Sequence, residues 1–159
     1  MKILIFSDSH GSLAPMLEIV ESQRPQEVFH LGDHLEDAQA LSHAYPDLPV
    51  TMVPGNCDGW TGLPGQLMVE RGGIPILLSH GHVWQVKSGP ERALEAARAA
   101  GAQVLLYGHT HQPVCRMEGE FWVCNPGAAG GQWGPVSYGV LTVPDGGAGE
   151  LFLELHTWK

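Results

Sequence analysis

Two histidines one residue apart, His109 and His111, give the sequence its first chemical signal. They follow an apolar run and a glycine, and in extended backbone two residues at this spacing point to the same side. Imidazole is the commonest metal ligand, so two rings directed at one point indicate a metal site. A pair like this standing alone is more often two solvated loop histidines. The rest of the chain decides between these interpretations.

Further potential ligands follow four other short apolar runs, in each case shortly after the run ends. Together with the histidine pair they make a set of seven donors: Asp8, His10, Asp33, Asn56, His80, His109 and His111. In an open α/β sheet, ligands bind beyond the carboxyl ends of the strands, so these side chains are expected to converge. Taken singly, Asp8 and Asp33 could cap helices and Asn56 could occupy a turn, but chance placement of all seven is not plausible. Seven donors exceed one tetrahedral zinc site and suit two divalent ions.

Hydrophobic periodicity predicts the elements that position these donors. Buried strands are expected over residues 2–7, 27–31, 50–53, 74–78 and 104–107. Helices are expected from Ser12, from Leu35 to before Pro46, and over 90–100, with Ser12 as a cap and Ser88 and Glu91 as a capping box. Four strand-like runs without helices follow, over 114–117, 121–123, 136–143 and 150–156. The pattern predicts an α/β fold whose last third is antiparallel strand.

Length and composition bound the class of protein. At 159 residues, the chain is expected to form a single domain over 1–159. The formal net charge is 8 − 17 = −9 without a basic cluster, which argues against binding to bulk nucleic acid or to an anionic membrane. Three scattered cysteines, no signal-peptide core and no membrane-length apolar run predict a cytoplasmic protein.

The motifs around these donors resemble those of the calcineurin-like metallophosphoesterases. The matching segments occur in the family's order from Met1 to about Gly127: Asp8-x-His10, Gly32-Asp33, Gly55-Asn56, His80 and Gly108-His109-x-His111. The resemblance implies a four-layer α/β sandwich, with two mixed β-sheets flanked by helices. It also implies two divalent transition-metal ions, with manganese favoured over iron, zinc, nickel and cobalt. By position, Asp8, His10 and His111 would bind the first ion. The second would take Asn56, His80 and His109, with Asp33 bridging the two.

The resemblance is closest to a small prokaryotic phosphodiesterase branch. The short length, the third motif and the segment Asn125-Pro126-Gly127 carry this similarity, although Ala128 stands where a serine usually follows. The main departure is Cys57, because many relatives have there a histidine that protonates the leaving group. A thiol cannot do this in the same way. His82 and Asp58 are therefore candidate proton donors, and His34 and Cys57 are candidate substrate contacts.

The function implied is a binuclear metal-dependent phosphodiesterase. A water bridging the two metals would lose a proton near neutral pH and attack phosphorus in line, while Asn56 contacts the phosphate and the transition state. The alternatives are a phosphomonoesterase or nucleotide pyrophosphohydrolase on the same site, and a non-catalytic metal-binding scaffold, since a protein-sorting complex uses this fold that way. The expected partner is a small phosphate ester, and an exposed edge strand would permit a homo-oligomer.

Other residues receive simpler interpretations. His30, within a strand, is expected to be packed rather than catalytic. Trp60, Trp84 and Trp133 flank the motifs and could stack on a substrate base, although core or interface packing is favoured for them.

Overall fold

The computed structural model, which describes residues 1–159, contains two mixed five-stranded β-sheets. The strands, in chain order, are β1 (Lys2–Phe6), β2 (Glu27–His30), β3 (Val50–Met52), β4 (Gln66–Arg71), β5 (Ile74–Ser79), β6 (Val104–Leu106), β7 (Val114–Glu118), β8 (Phe121–Asn125), β9 (Val136–Thr142) and β10 (Phe152–Trp158). Three helices accompany them: α1 (Leu13–Gln23), α2 (Leu35–Ala44) and α3 (Glu91–Ala100). The predicted architecture of two mixed sheets with flanking helices is confirmed.

Strand order brings the carboxyl ends of the parallel strands together. The first sheet has the order β10-β9-β1-β2-β3, and the second has the order β4-β5-β6-β8-β7. Strands β1, β2 and β3 are mutually parallel in aligned register, with Phe6 opposite His30 and His30 opposite Met52. In the second sheet, β5 and β6 are parallel, with Leu78 opposite Leu106. Within each sheet, the loops that follow these parallel strands therefore begin at the same edge.

Three apolar clusters hold the layers together. One lies between the sheets and joins side chains such as Ile5 and Phe29 of the first sheet to Leu78 and Leu106 of the second. A second packs α3 against the outer face of the second sheet, and a third packs α1 and α2 against the outer face of the first. Because successive strand residues point to opposite faces, strands with both faces covered are mainly apolar, as β6 and the part of β1 after Lys2 show.

The antiparallel pattern expected for the last third is confirmed, because β7 pairs antiparallel with β8 and β9 pairs antiparallel with β10. These strands do not form a single unit, since β8 joins the second sheet beside β6, to which it is parallel, while β9 and β10 complete the first. The expected caps are absent: the Ser12 side chain makes no capping hydrogen bond, and α3 begins after Pro90 rather than at a Ser88–Glu91 box. Ser88 instead lies in a short 3-10 turn. No helix here combines the length and the apolar character that crossing a bilayer requires.

Candidate metal centre

The seven predicted donors leave the carboxyl ends of five strands that belong to two sheets. Asp8 and His10 follow β1, Asp33 follows β2 and Asn56 follows β3 of the first sheet. His80 follows β5, and His109 and His111 follow β6 of the second sheet. The site therefore lies where the ends of the two packed sheets meet.

One group of donors surrounds the buried carboxylate of Asp8. His111 Nε2 lies 3.2 Å from Asp8 Oδ1, and His10 Nε2 lies 3.7 Å from the same oxygen. The three ligand atoms lie within 4.8 Å of one another. This is the set that the resemblance assigned to the first metal.

A second group shares Asp8 and adds Asp33 and His80. His80 Nε2 lies 3.4 Å from Asp33 Oδ2 and 3.8 Å from Asp8 Oδ1. His109 joins this group, because its Nδ1 lies 3.1 Å from His80 Nε2. Asp33 also contacts the first group, with Oδ2 at 3.5 Å from His10 Nε2. The carboxylates of Asp8 and Asp33 thus stand between the two sets of imidazoles.

Unpartnered polar atoms show that this donor set fits cations. Asp8 Oδ1 and His10 Nε2 are buried and make no hydrogen bond, a costly state for polar groups unless something else binds them. His80 Nδ1 bonds the Leu31 carbonyl oxygen at 2.8 Å. A carbonyl only accepts, so the neutral His80 ring carries its proton on Nδ1 and presents the Nε2 lone pair to the site. A backbone carbonyl on the far nitrogen is the usual support of a metal-binding histidine.

Electrostatics favour positive charge at the same point. Burial opposes protonation of His80, yet the Asp33 and Asp8 carboxylates outweigh it and raise the pKa of the ring. Burial also raises the pKa of Asp33, but His80 and the Cys57 amide outweigh this and hold it far below its usual range. A bound cation would take the place of the proton on His80. Burial, His80 and Lys87 lower the pKa of His109 to about 4, which keeps its lone pair free at neutral pH.

The ligand loops adopt strained backbone that positions these side chains. Eight non-glycine residues have positive φ, and six of them lie at the site: Asp8, His10, Asp33, His34, His109 and His111. Left-handed conformations cost non-glycine residues roughly 1–3 kcal/mol each, and such strain concentrates at functional sites. Glycines permit the close approaches: a Cβ on Gly108 would lie 2.0 Å from Ser7 Oγ, and one on Gly55 would lie 2.1 Å from Asp33 Oδ1.

Several supporting residues were not predicted as site residues. Asn125 Nδ2 donates to the Gly108 carbonyl at 3.1 Å and to Thr110 Oγ1 at 2.8 Å, so it fixes the loop that carries both histidines. Ser7 Oγ donates to Asp8 Oδ2. The segment Asn125-Pro126-Gly127, recognised above as part of the resemblance, was the available signal for Asn125. Nothing in the sequence distinguishes Ser7 from an ordinary strand serine.

His30 is packed, as its position in β2 suggested. It is buried, its Nδ1 accepts the Gly32 N–H at 3.2 Å, and its Nε2 lies 2.9 Å from Ser9 Oγ. Burial lowers the pKa of His30 to about 4, so the ring is neutral at physiological pH. In this neutral form Nε2–H donates to Ser9 and connects the first two ligand loops.

The candidate proton donor Asp58 is engaged with backbone. Its carboxylate accepts the N–H groups of Asp33, His34, Leu35 and Gly55 at 2.7–2.8 Å. It therefore holds the loop after β2 against the loop after β3, which suits a positioning role better than proton transfer.

The neighbouring Asn56 and Cys57 are exposed, and the Asn56 amide nitrogen lies 3.6 Å from the Cys57 sulfur. The Cys57 N–H donates to Asp33 Oδ1 at 3.0 Å. Burial and the nearby Asp33 carboxylate raise the pKa of the Cys57 thiol, so it stays protonated at neutral pH.

The two remaining candidates lie on opposite sides of the centre. The His82 ring packs 5.5 Å from His80 and 6.2 Å from His109 between centroids, and its buried Nδ1 has no hydrogen-bond partner. Burial and then His80 lower the pKa of His82, so the ring is neutral at physiological pH. The partly exposed His34 ring lies 6.2 Å from His10, at the start of α2.

The three flanking tryptophans have different environments. Trp84 is buried among the side chains that pack α3 on the second sheet. Trp133, 48% exposed, lies over the first donor group, with its ring centroid 4.1 Å from His111 and 4.5 Å from His10. Trp60 is 93% exposed. Trp84 thus packs in the core, as expected, and Trp133 packs on the candidate donors His10 and His111.

Comparison with known proteins gives the same family. The profile of the calcineurin-like phosphoesterase superfamily domain matches residues 1–146. Phosphodiesterase YfcE from Escherichia coli is 33% identical over 171 aligned positions, which cover 89% of this chain and 87% of that protein. Its solved structure, described as that of a phosphoesterase, superposes with a TM-score of 0.66. Probable metallophosphoesterase YsnB from Bacillus subtilis is 34% identical over 115 residues, 70% of this chain and 64% of that protein.

A more distant likeness concerns the fold alone. Vps29 of Entamoeba histolytica, solved with Zn²⁺, superposes with a TM-score of 0.75 at 22% identity, and the match covers 99% of both chains.

The profile match and the curated relatives confirm a metal-dependent phosphoesterase. The chain belongs to the calcineurin-like phosphoesterase superfamily.

Proposed function

We propose that this protein is a phosphodiesterase that binds two divalent metal ions, manganese in preference to iron, zinc, nickel or cobalt, and acts in the cytoplasm on a small phosphate ester. The observation that carries the proposal is the pair of donor groups sharing Asp8, with Asp33 in contact with both. Asp8, His10 and His111 would hold one ion. His80, His109 and Asn56 would hold the other, with Asp33 between them. Bound there, the ions would supply water activation and charge compensation for a phosphate.

The protein's own residues would orient the metal-binding atoms and contact the phosphate. His80 and Asp33 are fixed from behind by the Leu31 carbonyl and the Cys57 amide, so the donor atoms need little reorganisation. Asn56 is exposed at the rim, where its side-chain amide can donate to a phosphate oxygen. Cys57 lies beside it and stays protonated.

The preference for a diester over a monoester rests on two features. A thiol at position 57 is a weaker acid than the imidazolium of a histidine, so a substrate whose leaving group departs without a proton is favoured. Glu36 and Asp58 line the groove that adjoins the site, and Asp37 lies 3.7 Å from His34; these acidic side chains repel the second negative charge of a monoester more than the single charge of a diester. A phosphomonoesterase or nucleotide pyrophosphohydrolase remains the enzymatic alternative on the same residues.

Hydrolysis by metal-stripped protein tests the proposal. Bis(p-nitrophenyl) phosphate and p-nitrophenyl phosphate release the same product, so their kcat/KM values with and without added Mn²⁺ can be compared directly. We expect metal-dependent hydrolysis with a large preference for the diester. A preference for the monoester would support the enzymatic alternative. Stoichiometric metal binding without hydrolysis of any phosphate ester would support a scaffold.

A further inference from the structure

A groove of about 780 Å³ opens beside the metal centre, between α2 and the loop that follows β3. We call it the Trp60 groove; its lining includes Leu35, Met52, Trp60 and Leu63, together with His34 and Cys57. His34 and Cys57 directly follow the proposed ligands Asp33 and Asn56 in the chain, and the Cys57 N–H donates to Asp33 Oδ1 at 3.0 Å. The groove therefore adjoins the centre, and its volume lies within the range of small-molecule sites.

Trp60 is the unusual residue of this groove. It is 93% exposed, although indole is a large apolar group that normally buries most of its surface in packing. Leu63, three residues on, is also exposed at 40% and lines the same groove. An aromatic face presented to solvent beside a catalytic centre is suited to stacking on a planar ligand.

The charge of the groove restricts what that ligand can be. Glu36 and Asp58 are among its lining residues, and no lysine or arginine is. A second phosphate or a carboxylate on the substrate would meet repulsion there without a compensating cation. The polar lining side chains Gln39, Thr51 and Thr61 offer neutral donors and acceptors. These are the contacts that an uncharged heteroaromatic ring edge can use.

We propose that the Trp60 groove binds the uncharged aromatic part of one ester group of a phosphodiester, such as the base of a nucleoside, while the phosphate of that diester lies at the metal centre. The proposal rests on the phosphodiesterase function proposed above. It assigns Trp60 the role of stacking surface. It also restricts the substrate class to diesters that carry at least one aromatic group and no charge beyond that of the diester phosphate.

Two p-nitrophenyl diesters that differ only in the retained group test this inference. Both esters contain the p-nitrophenyl leaving group, but methyl p-nitrophenyl phosphate retains only a methyl group, whereas thymidine 5′-(p-nitrophenyl phosphate) retains a base. We expect the wild type to favour the thymidine ester in kcat/KM. Trp60→Ala should reduce that preference roughly tenfold, mainly through KM, and Trp60→Phe should restore most of it. Phe152→Ala, which removes a 51% exposed aromatic side chain from β10, is the matched control and should keep the wild-type preference.

A binding measurement separates the two proposals. Thymidine 5′-(methyl phosphate), which lacks the activated leaving group, should quench indole fluorescence in the wild type, and Trp60→Phe should abolish that quenching. Quenching through Trp60 without hydrolysis of either ester would support the groove and overturn the phosphodiesterase proposal. Hydrolysis with an unchanged preference in Trp60→Ala would overturn the groove assignment and leave the phosphodiesterase proposal standing.

Discussion

The Asp58 carboxylate accepts the backbone N–H of Asp33 at 2.8 Å, so one acid positions another. Three further backbone N–H groups share the same carboxylate, those of His34, Leu35 and Gly55. Each carboxylate oxygen receives two of these bonds, and the loops after β2 and β3 are thereby fixed to each other. These bonds stabilise the left-handed backbone at Asp33 and His34, a conformation that costs free energy for residues with a Cβ atom.

Asp58→Asn should weaken both the fold and metal binding. The amide keeps one acceptor oxygen and replaces the other with a donor facing N–H groups, which we expect to cost about 3 kcal/mol of unfolding free energy. Metal affinity should fall roughly 10- to 100-fold, as it does when support behind a ligand is lost. Denaturant unfolding and metal titration measure the two effects, with exposed Asp47→Asn as control. Unchanged metal affinity, with loss of activity only on poor leaving groups, would instead identify Asp58 as the proton donor.

Asp33→Ala and His109→Ala should each abolish turnover. Asp33 contacts both donor groups and His109 faces His80 at 3.1 Å, so each variant removes a ligand rather than a support. We expect kcat/KM on an activated diester to fall by more than roughly a hundredfold even with excess Mn²⁺. His43→Ala, at an exposed site near the end of α2, should retain full activity. Substantial activity in either ligand variant would contradict the assignment of the centre.

His30 should make the metal-free protein sensitive to acid. Burial lowers its pKa to about 4 in the folded state, against about 6.5 in an unfolded chain. Between these values the unfolded state binds a proton that the folded state does not, so stability falls as pH decreases from about 6.5 to 4. The contribution of His30 is about 3 kcal/mol over that window. In that window Asp33, whose pKa lies far below its usual range, remains ionised in the folded state.

Denaturant unfolding at pH 7 and at pH 4 checks this. His30→Gln should lose about 3 kcal/mol less than the wild type between the two values. His43→Gln serves as the exposed-histidine control and should follow the wild-type curve. Parallel curves for the wild type and His30→Gln would show that His30 does not cause the acid sensitivity.

Cys57→His should add phosphomonoesterase activity. The side chain at position 57 is exposed, and its backbone N–H is already tied to Asp33, so an imidazole there can reach a leaving group at the centre. A positioned general acid contributes rate mainly where the leaving group is poor. We expect kcat/KM on phenyl phosphate to rise at least roughly tenfold relative to Cys57→Ala, with little change on bis(p-nitrophenyl) phosphate. An equal change on both substrates would point to altered metal binding.

Metal should also stabilise the fold. The donors come from both sheets, and ligands that bind only the folded state raise stability by mass action, about 2.7 kcal/mol at a hundred times Kd. For a chain of this size we expect saturating Mn²⁺ to raise Tm by about 5–10 °C over the chelated protein. Differential scanning calorimetry measures this, and Asp33→Asn should show a much smaller shift. Equal shifts in both proteins would indicate binding elsewhere.

The sequence predicted the strands and the convergence of the candidate donors better than the surroundings of either. The nine strands expected from apolar runs all exist with nearly the expected bounds, because buried strands are apolar on both faces. The strand Gln66–Arg71 was not predicted, since its alternate exposed residues at the sheet edge leave a weak apolar signal. Strand pairing was harder still: β8 pairs antiparallel with its hairpin partner β7 and parallel with β6, and the second pairing depends on contacts that periodicity does not encode.

At the site, residue type identified the donors but not the roles of the groups behind them. His80 and His109 stand out because imidazole after a strand is chemically suggestive, and the structure brings both together. Asp58 suggested proton transfer, yet its four backbone partners depend on two loops that meet only in the fold. The packing of Trp133 on His10 and His111 likewise requires the glycine-rich loop to return across the end of β1. Such contacts cannot be read from spacing.

The pairing of β1 sets when the centre can form. β1 lies between β2 and β9, and the backbone of Ser7 and Asp8 is held from the later chain by the N–H groups of Ala129 and Gly130. A chain under synthesis therefore contains all the proposed donors before the segment that holds the backbone of Asp8 has been made. Pairings so distant in sequence form slowly. We therefore expect metal binding to follow the pairing of β1 with β9, and a chain that ends before Val136 should carry every proposed donor without the strand that fixes β1 on that side.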